Sequence, residues 1–332
     1  MKKRVLVTGA NGFVGRRLCQ SLARKGVQVF GASRGGKVEH TPGLTQISVE
    51  ALGPETDWSE CVSPDSGLGQ LPVDCVIHCS ALAHVRNDDL EDLELSYRQT
   101  NVQGALRLAE CSLQAGVKHF VFLSSANVHG RETLSGIAFS EKDAPAPEGL
   151  SGLSKWEAEQ ALWRLCKGSA MSLTVVRLPL VYGPGVKGNM ARLMNAVSRG
   201  FPIPLGRIDN QRSMIGLGNL VHFLSHCILN PKASNKTFLI ADDVSHSTKE
   251  LVRLMAAAMD KKIILLPVPI WLLHLLGRLI GKKSEINRLA GSFCIDDSFA
   301  RAELGWKPHY SAEQGIREMA ADFLRVRNVK HD

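Results

Sequence analysis

Apolar and polar residues follow two rhythms along the first half of the chain. Short β-branched runs recur at Arg4–Thr8, Val27–Gly31, Cys75–His78, His119–Leu123 and Leu173–Arg177. Between them, at Arg16–Lys25, Asn101–Ala115 and Ser154–Leu165, apolar residues fall three and four apart. Continuous apolar runs of this length suit strands buried on both faces, and the helical spacing suits the elements that cover them. Strand, helix, strand in series predicts right-handed crossovers and a parallel sheet covered on both sides, an α/β doubly wound architecture.

After Pro184 the pattern changes to loops punctuated by glycine and proline, with helices predicted near Asn189–Arg199, Lys249–Met259 and Trp271–Ile280. This divides the chain into a sheet domain over residues 1–183 and a smaller C-terminal substrate lobe over 184–332, the two interleaved. The stretches 53–72 and 134–151 are long for connections in a compact domain, which marks lids or binding loops. The segment Ile263–Ile280 is apolar enough to suggest a membrane span, but Pro267, Pro269, His274 and Arg278 interrupt it below the ~20 residues a bilayer requires. A strand followed by an amphipathic core helix is the expectation; peripheral membrane contact through Trp271, Leu272 and Leu275 is the alternative.

Composition narrows the function classes. With 44% hydrophobic and 22% charged residues the chain lies far from the corner where chains stay unfolded. A net charge of +8 attracts anions. The basic residues are scattered, as in Lys2-Lys3-Arg4, Arg16-Arg17, Lys261-Lys262 and Lys282-Lys283, without interleaved aromatics, which argues against nucleic acid as the partner. The eight cysteines form no Cys-x-x-Cys pair and no set spaced for a metal, so buried reduced thiols are expected and a metal is not. The N-terminus enters a strand at once without a leader-like segment, and a cytoplasmic location is the expectation.

The strongest motif is Thr8-Gly9-Ala10-Asn11-Gly12-Phe13-Val14-Gly15, between the first strand and the first helix. Gly9 permits a tight turn, Gly12 lets backbone approach a pyrophosphate, and Gly15 lets the helix pack against the strand, while the helix N-terminus offers amide donors. With its Gly-x-x-Gly-x-x-Gly spacing the chain resembles the extended short-chain dehydrogenase/reductases, the NAD-dependent epimerase/dehydratase family. The resemblance continues through His78-Cys-Ser-Ala81, Asn101-Val-Gln-Gly104, Ser124-Ser-Ala-Asn-Val128, Ser154-Lys155, Arg177-Leu-Pro-Leu-Val-Tyr-Gly-Pro184 and Leu304-Gly-Trp-Lys-Pro308. It implies a Rossmann-type sheet, a dinucleotide held by Gly9, Asn11, Gly12, Phe13, Val14, Gly15, Ala81, Asn101 and Lys155, and a homodimer formed through the helices at 101–115 and 154–165.

Cofactor choice is set at the end of the second strand, where a carboxylate accepts from the adenosine ribose in the NAD case. Here the sequence is Gly31-Ala32-Ser33-Arg34-Gly35-Gly36-Lys37. Without a carboxylate, Arg34, Ser33 and Lys37 suit a ribose phosphate, so NADP is preferred and NAD remains open.

In the enzymes that the chain resembles, a Ser or Thr, a Tyr and a Lys cooperate at the nicotinamide. The resemblance assigns the first to Ser125 and the last to Lys155. The tyrosine position, four residues before the lysine, holds Ser151. A serine hydroxyl is a far weaker acid than a phenol of pKa near ~10. Three readings follow: a water held by Ser151, Ser125 and Lys155 relays the proton, another group such as His129 serves, or the protein binds without turnover. Relatives that dehydrate sugars carry an Asp-Glu pair where this chain has Ala126-Asn127, which argues against dehydration. An epimerase needs the missing phenol twice and a ketoreductase once, which favours 4-keto reduction.

In the second lobe Asn189 and Arg212 match family positions that hold a sugar-nucleotide diphosphate, and Ser125 also faces substrate in that scheme. A closer similarity is to bacterial UDP-hexose 4-epimerases and 4-ketoreductases of surface-polysaccharide synthesis, including those that form N-acetylquinovosamine. The expected function is therefore NAD(P)-dependent chemistry at C4 of a UDP-hexose. The rival is a catalytically impaired dinucleotide- or sugar-nucleotide-binding protein.

Overall fold

A computed structural model describes residues 2–35, 41–63, 71–82, 90–279, 281 and 283–329. The first half runs β1 (Arg4–Thr8), α1 (Phe13–Arg24), β2 (Gln28–Ser33), β3 (Leu44–Ser48), α2 (Ser59–Val62), β4 (Cys75–His78), α3 (Leu90–Tyr97), α4 (Gly104–Ala115), β5 (His119–Ser125), α5 (Gly149–Cys166) and β6 (Ser172–Leu178). There follow β7 (Leu180–Tyr182), α6 (Gly188–Ser198), β8 (Met214–Gly216), α7 (Leu217–Leu229), β9 (Lys236–Leu239), α8 (Thr248–Ala258), α9 (Ile270–Leu279), α10 (Lys283–Ala290), α11 (Ser298–Leu304) and α12 (Ala312–Val329).

The predicted doubly wound sheet is present, with seven parallel strands in the order β3-β2-β1-β4-β5-β6-β9. The order reverses between β1 and β4, and in such sheets ligands bind outside the carboxyl ends of the strands at that point. Register aligns Ala32, Thr8 and His78 along this edge, and Ser125 beside Leu178 further on. Alternation along β1 sends Val5 and Val7 into a core with Leu18 and Leu22 of α1 and Leu220 and Leu224 of α7. Leu6 points the other way, into a core with Phe30, Leu108 of α4 and Leu162 of α5.

Chain beyond residue 184 returns to the sheet. α7, β9 and Trp306 complete the core behind β1, while α6, α8 and α12 build a separate core around Met194, Val252, Met255 and Ile316. α8 opens with a capping box, in which the Ser247 hydroxyl accepts from the Glu250 amide and the Glu250 carboxylate accepts from the Ser247 amide.

Four segments depart from the sequence reading. β3 (LTQIS) and β9 (KTFL) carry too few apolar residues for a buried run, because they lie at the sheet edges. The segment before α9 contributes a single bridge, Leu265 to Ile203, in place of a strand. α9 itself is not a core helix: Leu273 and Gly277 alone are buried. No helix among the described residues is long and apolar enough to cross a membrane.

Candidate active site

The turn between β1 and α1 is closed by backbone. Gly12 donates its amide to the Gly9 carbonyl at 2.7 Å, and Gly9 adopts φ +67°, a conformation that L side chains rarely take. A Cβ on Gly15 would lie 2.2 Å from the Gly9 oxygen, so α1 can approach the turn only with glycine there. Gly12 and Gly15 thus leave an open cradle of backbone at the N-terminus of α1, the geometry that a pyrophosphate requires. Asn11 Nδ2 donates to the Gly35 carbonyl at 2.8 Å and ties this turn to the end of β2.

Gly9, Asn11, Gly12, Phe13, Val14 and Gly15 all line one cleft of about 410 Å³, together with Arg34 and Ala81. Arg34 is exposed and makes no hydrogen bond or ion pair among the described residues. Ser33 lines the cleft beside it, while Lys37 lies outside the described residues. Val49 and Leu52 add an apolar wall that sequence reasoning missed, since they follow an edge strand with little hydrophobic signal.

Asn101 sits behind this wall. A π-helical turn over Arg98–Gln103 joins α3 to α4 and buries the Asn101 side chain. Its Oδ1 accepts from the Leu82 amide at 2.7 Å, and its Nδ2 donates to the Leu82 carbonyl and to Ser154 Oγ, each at 3.1 Å. The amide is fully engaged by protein, so Asn101 shapes the cleft by latching the loop after β4 onto α5. π-turns of this kind concentrate at functional positions.

The catalytic candidates occupy the neighbouring end of the sheet edge. Ser125 ends β5 and its Oγ accepts from the Asn127 amide at 3.2 Å. Gly152 brings α5 against that turn, for a Cβ there would lie 3.0 Å from the Asn127 carbonyl. Ser151 and Lys155, four residues apart, share a face of α5. Lys155 Nζ is buried, donates to the Leu123 carbonyl at 2.7 Å and lies 4.6 Å from the Phe122 ring centroid. Burial pushes its pKa down to about 8. The Ser151 hydroxyl, half-buried, has no hydrogen-bond partner among the described residues.

His78 links the two ends. Its Nδ1 meets Thr8 Oγ1 at 2.9 Å and its ring stacks on Phe122. Thr8 Oγ1 also accepts from the Ser80 amide, and His78 Nε2 is buried without a partner among the described residues. Burial, with Lys155 nearby, holds His78 down to about 3, so it is neutral. His129 is also neutral. Arg177 Nη1 donates to its Nε2 at 2.9 Å, and burial and the guanidinium push it down to about 4. Arg177 in turn holds the fully buried Glu159 at 2.7 Å, and Glu159 accepts from Ser124. His129 is thus tied by Nε2 into a buried network, and its Nδ1 is buried without a partner among the described residues. Tyr182 is likewise engaged, donating to Asp242 Oδ2 at 2.6 Å. Tyr182 and Tyr310 line a different cavity.

Asn189 is exposed in the first turn of α6 and accepts from Arg192 at 3.3 Å. Arg212 Nη1 donates to the Arg288 and Gly291 carbonyls, both at 2.9 Å, and the guanidinium lies 6.0 Å from the Phe293 ring centroid. Nε and Nη2 remain without hydrogen bonds among the described residues. No contact joins Asn189 to Arg212, which stand on separate segments of the lobe.

The NAD dependent epimerase/dehydratase family model matches residues 5–241, from β1 through β9. The chain belongs to this family. It is 41% identical over 333 residues, 99% of its length and 98% of the relative's, to a UDP-glucose 4-epimerase of Vibrio cholerae. It is 27% identical to N-acetyl-alpha-D-glucosaminyl-diphospho-ditrans,octacis-undecaprenol 4-epimerase of Escherichia coli O157:H7, across 98% of this chain and 97% of that one. In fold it is similar to a UDP-glucuronic acid 4-epimerase from Bacillus cereus solved with NAD, with a TM-score of 0.77, 19% identity, and 97% of this chain and 99% of that one covered. The glycine cradle fits the dinucleotide that this family uses, because side chains at Gly12 and Gly15 would press on the Gly9 carbonyl and force open the turn that lines the cleft.

Proposed function

We propose that this family member reduces the 4-keto group of a UDP-linked hexose and prefers NADP. The observation that carries the reading is Lys155, a buried ammonium with its pKa near 8 on the same face of α5 as the unpartnered Ser151 hydroxyl. The bound dinucleotide supplies a hydride to C4 of the sugar, and the protein must deliver one proton to the oxygen. Lys155 Nζ holds that proton, and a water bridging it to Ser151 and Ser125 passes it on. Ser125 Oγ orients the oxygen. The proton lost by Lys155 is replaced from solvent.

The UDP-sugar class rests on the 41% identity to the Vibrio cholerae epimerase along the whole chain. The preference for NADP rests on Arg34 and Ser33 at the cleft and on the lack of a carboxylate at the end of β2. Arg212, with two nitrogens unengaged, is assigned to the diphosphate, since its planar fork suits phosphate oxygens. Asn189 is assigned beside it. The two helices α4 and α5, adjacent on one face of the sheet, are where a second copy would dock.

Epimerisation at C4 is the second reading, favoured by the name of that relative. The pH profile separates them. A reductase that draws its proton from Lys155 loses turnover as pH rises through about 8, whereas an epimerase limited by proton removal gains it. The test is NADPH oxidation with a UDP-4-keto-hexose across that range. Affinity for NADPH and UDP without turnover would identify a binding protein and end the reductase reading. Ser151→Tyr should raise turnover by about 10²-fold, by restoring a phenol beside Lys155.

A further inference from the structure

We propose that α9 and the segment leading to it dock the protein on an anionic lipid surface. In α9, Leu273 and Gly277 face the lobe and are buried. The helical period turns Trp271, Leu275, Arg278 and Leu279 to the opposite side. That side is solvent-facing yet apolar, with Trp271 67%, Leu275 47% and Leu279 75% exposed. α12, in the same lobe, places Glu313, Arg317, Glu318 and Arg325 on its outer side, as a helix facing water should. Before α9, Ile264 and Leu266 alternate outward at 60% and 41% exposure. Apolar exposure gathered in one stretch of chain marks an interaction surface.

Charge selects the occupant. Among the described side chains from Lys261 to Leu279 every charged residue is basic and exposed, namely Lys261, Lys262 and Arg278. A second copy on a two-fold axis would bring this cationic surface against itself, which costs affinity. An anionic bilayer pairs the cations with headgroup phosphates while Trp271, Leu275 and Leu279 enter the boundary with the acyl chains. The ten residues of α9 span about 15 Å, so the helix lies in the surface plane and does not cross it. Docking brings the substrate lobe, rather than the cofactor cleft, to the lipid, and it does not depend on which sugar the protein handles.

The test is co-sedimentation of the full chain with vesicles of phosphatidylglycerol and phosphatidylethanolamine, against vesicles of phosphatidylcholine. The expected result is binding to the anionic vesicles that weakens at high salt, with a blue shift in emission that Trp271→Phe removes. Leu275→Glu should cut binding at least about tenfold without changing Tm or NADH affinity, because the residue is exposed. Replacing Lys261 and Lys262 by Ser should weaken binding about fivefold per charge. Absence of binding to anionic vesicles, equal binding to phosphatidylcholine, or wild-type binding by Leu275→Glu would overturn the proposal. So would an oligomer that Leu275→Glu dissociates in a protein that ignores vesicles.

Discussion

At the glycine turn the backbone itself makes the site, whereas around Lys155 a few side chains make it. Gly9, Gly12 and Gly15 create a cradle by what they lack, and the Gly9 carbonyl would collide with any Cβ at 15. Nothing there titrates. Beside it, Lys155 is held by a single carbonyl and an aromatic ring, and the proposed chemistry follows from the lowered pKa that its burial imposes. On the proposed function, affinity for a dinucleotide rests mainly on chain path and turnover on one buried amine. Changes at the two ends should separate cleanly in Kd and kcat.

The largest expected effect tests the catalytic end. Lys155→Met should lower kcat by about 10²- to 10⁴-fold, while the Kd for NADPH, read by titration calorimetry, changes far less. If Kd collapses and kcat survives, the two ends are not separate. Gly15→Ala should do the reverse and weaken dinucleotide binding by about 100-fold, because α1 must withdraw from the turn. Binding that survives this change would mean that the cradle is not where the pyrophosphate sits.

The next prediction concerns the floor that joins both ends. His78 has a folded pKa near 3 against an unfolded value near 6.5, so below pH 6.5 the unfolded chain binds the proton and the folded chain does not. Stability should therefore fall as pH drops from about 6.5 toward 3, by up to about 1.4 kcal/mol per pH unit from this residue alone. His129, near 4 when folded, adds to the loss in the upper part of that window. Thermal melts at pH 7 and 5.5 read it, and a His78→Gln variant with an unchanged slope would remove His78 as the cause. The smallest effect is expected at Arg34→Ala, about tenfold weaker binding of NADPH with NADH unaffected, because the guanidinium is exposed and screened.

How much of this was legible depended on what each residue contacts. The doubly wound sheet and the glycine turn could be read, because periodicity and spacing encode them directly, whereas Ser125 and Lys155 were singled out only through the family resemblance. β3 and β9 could not, since edge strands need few apolar residues. The Asn101 latch was hidden because nothing local announces that an amide will bond Leu82 and Ser154 from a π-turn. The engagement of His129 by Arg177 depends on a pairing 48 residues apart. How little of α9 is buried could not be read, because composition does not tell how much of an apolar helix packs on protein.

The π-turn at Arg98–Gln103 makes chain length itself a tuning variable. A regular α-helix advances about 100° per residue, so deleting one residue here would restore even winding and swing Asn101 away from Leu82. The loop after β4 would lose its latch while every chemical group of the site stayed in the sequence. Comparing relatives residue by residue would miss such a change, which would register only as a gap of one in an otherwise intact helix.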